Sequence, residues 1–126
     1  MFRVDGHTIE ISRGDTGAIR FRARAKYKGT DNPYVFGERD RALFTIKDTA
    51  GQIVKQKAYQ IVQNVFTVLL FNADTEKMIS GTYNWDVRYI INPHYETGNP
   101  IPVDGDQVVT PMLPGSVNPQ PVVGDI

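Results

Sequence analysis

The sequence predicts an all-β protein built as a two-layer antiparallel sandwich. Three observations carry this. Apolar and polar residues alternate with a period of two through most of the chain, the periodicity of a strand with one face buried. Clusters of Gly, Pro, Asn and Asp separate the alternating runs and supply the backbone angles that chain reversals need. No stretch provides the helical crossover of about a dozen residues that a parallel sheet requires. Short strands joined this way form sandwiches or barrels, and an immunoglobulin-like antiparallel β-sandwich of about seven strands fits the pattern.

Thr8 to Ile11 is the first expected strand. Ile19 to Tyr27 is the second: Ile19, Phe21, Ala23, Ala25 and Tyr27 lie on one face and Arg20, Arg22, Arg24 and Lys26 on the other, so one face is dry and one is wet. Ala42 to Lys47, Ile53 to Tyr59 and Val65 to Phe71 repeat the alternation at shorter length. Asn72 to Met78 is the one segment of helical character, a single turn that Asn72 or Asp74 caps. Tyr83 to Ile91 carries the densest core signal, with Tyr83, Trp85, Val87 and Tyr89 on one face. Trp85 is the only tryptophan, and its ring is expected between the sheets, in the same dry interior as Phe21. Gln107 to Thr110 is the last strand. Turns are placed at Asp5-Gly6, Arg13-Gly14-Asp15, Lys28 to Pro33, Ala50-Gly51, Thr97 to Pro100 and Asp104-Gly105-Asp106. Pro111, Pro114, Pro119 and Pro121 argue against regular pairing in a central strand. Residues 1–113 are therefore expected to form the sandwich and residues 114–126 a Pro-rich tail or arm.

Composition narrows the function. A chain of 126 residues is one domain by length, and 40% hydrophobic with 22% charged residues is the balance of a folded globular protein. Lys plus Arg and Asp plus Glu both number 14, so no net field favours nucleic acid or an anionic membrane surface. Cysteine is absent, which removes disulfides, thiolate metal sites and thiol nucleophiles together. The start, Met1 to His7, lacks the basic and apolar regions of a secretory signal, and no run is long enough to span a bilayer as a helix. The expectation is synthesis in the cytoplasm.

No residue set satisfies the geometry of catalysis. His7 and His94 are far apart in sequence and have no further ligand at a zinc-like interval. Ser12, Ser80 and Ser116 stand in no nucleophile elbow, and no glycine-rich phosphate loop is present. The acidic pairs Glu38/Asp40, Asp74/Glu76 and Asp104/Asp106 read as solvated turns, with Asp104-Gly105-Asp106 the first place to look for a cation. Arg13-Gly14-Asp15 matches an integrin-binding tripeptide, but Gly-Asp is ordinary turn chemistry and the segment is read as a turn. The expectation is a protein that is not an enzyme and takes no cofactor.

The basic row Arg20, Arg22, Arg24 and Lys26 is the most unusual surface feature. Alternate residues of a strand lie about 7 Å apart on one face, so cations in line repel unless carboxylates face them. Neighbouring strands are the first expected source, with Asp86, Asp48 or Glu10 as mates; a binding partner is the second. Stacking aromatics are not interleaved on this face, so single-stranded nucleic acid is not the expected partner. Tyr34 and Tyr95, with Tyr27 and Phe36, lie in or near loops, where aromatics either cover the ends of a sandwich or bind a glycan.

Gly14-Asp15-Thr16 before a strand, Phe44-Thr45-Ile46-Lys47-Asp48 followed by Gly51, and Gly81-Thr82-Tyr83-Asn84-Trp85-Asp86-Val87 resemble the N-terminal domain of phage baseplate upper proteins. Val103 to Thr110 is similar to the last strand of that sandwich, so the likeness covers roughly residues 8–115. The resemblance implies a phage or prophage virion structural protein of the tail or baseplate. It would assemble with copies of itself and with other tail proteins, with no catalytic residues to carry over. The family continues into linkers and a receptor-proximal region, whereas this chain stops at Ile126, and a connector, decoration or tail-assembly role is expected. A carbohydrate-binding or adhesin module is the alternative, with Tyr34 and Tyr95 as its contacts.

Overall fold

Alternation along the chain sorts the strands into two layers. The computed structural model describes residues 2–5, 8–12, 15–26, 32–76, 78, 83–109 and 115–120. Among them are β1 (Phe2–Asp5), β2 (Thr8–Ser12), β3 (Gly17–Arg22), β4 (Arg41–Lys47), β5 (Ile53–Gln60) and β6 (Val65–Leu70). One short helix, α1 (Asn72–Glu76), leads to β7 (Tyr83–His94), β8 (Asp104–Val109) and β9 (Gly115–Gln120). A seven-stranded sheet runs β1-β2-β9-β7-β4-β5, with β8 also paired to β7, and a two-stranded sheet of β3 and β6 packs over it. The result is an all-β sandwich.

The interior follows the period-two pattern. Register sets Ala42, Phe44 and Ile46 of β4 opposite Tyr89, Val87 and Trp85 of β7, and all six are buried. On the small sheet, Ile19 faces Val68 and Phe21 faces Phe66, whose rings stack at 5.0 Å. The layers meet where Trp85, 3% exposed, lies 5.6 Å from Phe21 and 5.9 Å from Phe44 between ring centroids. Burying each such side chain stabilises the fold by about 1.5–3 kcal/mol. The shared interior expected for Phe21 and Trp85 is present. Strand β4 lies between β7 and β5, and Leu43 and Thr45 on its other face are buried as well.

Turn chemistry sets the connections. Between β4 and β5, the Asp48 carboxylate accepts the Ala50 and Gln52 amides, both at 2.9 Å, and Gly51 takes a φ of 82°. Between β5 and β6, Val62 and Val65 exchange both backbone hydrogen bonds around Gln63 and Asn64, whose φ angles are 50° and 60°. Two successive positive φ angles define the type I′ turn that matches strand twist. This tight reversal carries the chain from the large sheet to the small one. In α1 the Asp74 carboxylate accepts the Phe71 amide at 2.8 Å, so Asp74 caps the turn by reaching back.

Three expectations are corrected. Nine strands are described, the seven expected plus β1, which pairs with β2, and β9. The basic strand ends at Arg22, since its partner β6 begins at Val65 and offers nothing beyond; only Ala23 continues, donating to the Asn64 carbonyl at 2.7 Å. Antiparallel pairing has one exception, β2 with β9. Residues 115–120, expected in a tail, instead form β9 between β2 and β7. Proline is tolerated there because β7 pairs only Gly115 to Val117, leaving Pro119 opposite β2 alone. Arg13, Gly14, Tyr27, Lys28 and the prolines 111, 114 and 121 lie outside the described residues.

Candidate interaction surface

The outer face of the small sheet is built by the alternation of β3. With Ile19 and Phe21 turned inward, Arg20 and Arg22 project outward opposite Thr67 and Val65 of β6. The alternation outlasts the strand. Ala23 is buried and Arg24 exposed, Tyr34 donates its amide to the Ala25 carbonyl at 2.9 Å, and Lys26 bridges to Pro33. All four cations are exposed. Arg20 and Arg22, with Gln60, Gln63, Asn64 and Thr67, border a shallow depression of about 720 Å³. Arg24 and Lys26, with Pro33 and Tyr34, border a second of about 430 Å³, and Asn64 lines both.

The expected cross-strand mates do not reach this face. Asp86 sits across from Thr45 in the large sheet, Asp48 holds its own turn, and Glu10 lies on β2. The one neighbour of β3 among the described residues is β6, which carries no carboxylate. Arg20, Arg22 and Arg24 make no ion pair with a described residue, so for these three the expected pairing within the sheet is corrected. Neighbouring guanidiniums about 7 Å apart repel by about 0.6 kcal/mol at the dielectric of water, before salt screening. The free chain tolerates that cost, and a facing carboxylate would relieve it.

The two loop tyrosines part company. Tyr34 donates its hydroxyl to Asp40 at 2.8 Å and meets Phe36 edge-on at 5.1 Å, and Phe36 in turn packs on Tyr89 at 5.2 Å. Its ring borders the smaller depression while its hydroxyl is engaged. Tyr95 stands 46% exposed in the β7–β8 connection, apart from the basic row. The arrangement thus gathers Arg20, Arg22, Arg24, Lys26 and Tyr34 and leaves Tyr95 elsewhere. Burial raises the Tyr89 hydroxyl above the usual tyrosine range, with a hydrogen bond at the Arg24 backbone opposing the shift.

Asp40 was not legible as a key residue, because the pair Glu38/Asp40 reads as a solvated turn, and for Asp40 that expectation is corrected. It is 4% exposed and accepts three hydrogen bonds, from Tyr34, from the Gly37 amide at 2.8 Å and from the Asn92 amide at 2.9 Å. Asn92 takes a φ of 49° inside β7, and the β7–β8 ladder omits its pair with Asp106. The carboxylate therefore ties the loop carrying Tyr34 and Phe36 to the end of the large sheet.

At the same sheet's edge, His94 Nδ1 lies 2.8 Å from Asp104 and Nε2 lies 3.2 Å from Asp106, while Asn92 donates to Asp106 at 2.7 Å. Among the described residues no group of three or more His, Asp or Glu is arranged to hold a metal ion. No described helix is long and apolar enough to cross a membrane. Comparison with family models, with curated proteins and with solved structures finds no match.

Proposed function

We propose that this chain is a structural component of a phage or prophage tail or baseplate, acting through protein contacts and not through catalysis. The observation that carries the contact role is the arginine row on the small sheet. Three guanidiniums with no ion pair to a described residue border shallow, open depressions, a surface suited to an acidic partner and unsuited to enclosing a small substrate. The placement in a tail rests on the resemblance of Phe44 to Asp48 and Gly81 to Val87 to baseplate upper proteins, and a β-sandwich is the fold that resemblance implies.

The test is to induce the prophage of the encoding strain, purify the particles on a density gradient and label them with antibody against this chain. Gold at the tail or baseplate supports the proposal. Particles complete in their tail proteins but free of the chain overturn it.

A further inference from the structure

We infer that the partner of the basic row is a second copy of this chain, which docks its own acidic strand β8 there in a head-to-tail contact. This inference rests on the contact role proposed above and gives it a specific occupant. Strand β8 alternates exposed and half-buried positions, so Asp104, Asp106 and Val108 share its outer face. The Asp104 and Asp106 side chains are 68% and 60% exposed.

Carboxylates two residues apart on one strand repeat at the same spacing, about 7 Å, as Arg20 and Arg22 on β3. Two carboxylates can therefore register with two guanidiniums at once, and each such pair is a charge-assisted contact. Among the described residues β3 pairs only with β6, and β8 only with β7, so each strand also offers an edge to an incoming neighbour. The contacts of Asp104 and Asp106 with His94 and Asn92 are solvent-exposed and exchange readily for a guanidinium. Charge is balanced at 14 against 14 over the whole chain yet segregated here, with a basic row on one sheet and an acidic row on the other. Because the two patches differ, the contact is heterologous and propagates into a ring or filament.

Analytical ultracentrifugation of the full chain across protein concentration tests this. The wild type is expected to self-associate, with the dissociation constant rising about tenfold or more between about 0.05 M and 0.5 M NaCl. Arg20→Gln/Arg22→Gln and Asp104→Asn/Asp106→Asn should each be monomeric alone. Mixed, they should form a one-to-one heterodimer, since each retains the patch the other lacks. Trp85 fluorescence confirms that both variants are folded, and the salt titration of the wild type needs no variant. A wild type that is monomeric at low salt, an association indifferent to salt, or folded variants that still self-associate would each overturn the inference. A monomer that is nevertheless present in purified tails would overturn this contact alone, while self-association of a chain absent from particles would overturn only the placement in a tail.

Discussion

Replacing Asp40 is expected to produce the largest loss of stability from any single polar change in the described residues. Its carboxylate is buried and makes no ion pair with a described residue, and it holds three donors: the Tyr34 hydroxyl and Gly37 amide on Oδ2 and the Asn92 amide on Oδ1. Hydrogen bonds to a charged acceptor contribute about 1.5–3 kcal/mol each, so the simple sum for Asp40→Ala is about 4.5–9 kcal/mol. Part of that is recovered. The loop from Tyr34 to Asp40 can lift and hydrate Gly37 and Tyr34, which brings the expected cost to about 3–5 kcal/mol. Asp40→Asn keeps Oδ1 for Asn92 but turns an amide NH₂ toward the Gly37 N–H; about 2–3 kcal/mol is expected from the two contacts on Oδ2. Tyr34→Phe, which removes one donor and leaves the acceptor two others, should cost about 1–2 kcal/mol. Urea unfolding followed by the single tryptophan, Trp85, measures all three. A loss below about 1 kcal/mol for Asp40→Ala would refute the role of this carboxylate as the clasp between loop and sheet.

Trp85→Ala removes the ring that joins Phe21 to Phe44 and should cost about 3–5 kcal/mol, seen in circular dichroism as a broad or absent thermal transition. Gly105→Ala places a Cβ 2.6 Å from Ile90 and 2.7 Å from the Ile91 carbonyl oxygen, so a loss of about 1–3 kcal/mol in urea is expected. Burial raises the hydroxyls of Tyr89 and Tyr59, so the folded state keeps protons that the unfolded chain gives up above about pH 10. The stability these two hydroxyls contribute should therefore be fully present below that pH and be lost as pH rises through the folded values. Denaturant titrations between about pH 8 and 11 should show a shallower fall in Tyr89→Phe.

The sequence alone determined that this chain is a sandwich and which residues fill it. Period two reads directly onto the two faces of a strand, so Ile19 and Phe21 against Arg20 and Arg22, and Trp85 and Val87 against Arg88, could be assigned before any pairing was known. Turn residues with characteristic backbone preferences, such as Gly51, marked reversals in the same local way. What strand lies beside what is a long-range matter, and alternation is silent on it. Long-range pairing gives β3 the described neighbour β6, which leaves Arg20 and Arg22 opposite Thr67 and Val65 instead of a carboxylate. Gly115 to Gln120 likewise pairs parallel with β2, and Pro119 falls beyond the stretch of β9 that β7 pairs, where a proline removes no bond to β7. Asp40 owes its importance to the approach of Asn92, 52 residues away in the chain, and a burial created by distant segments leaves no local mark on the residues that undergo it.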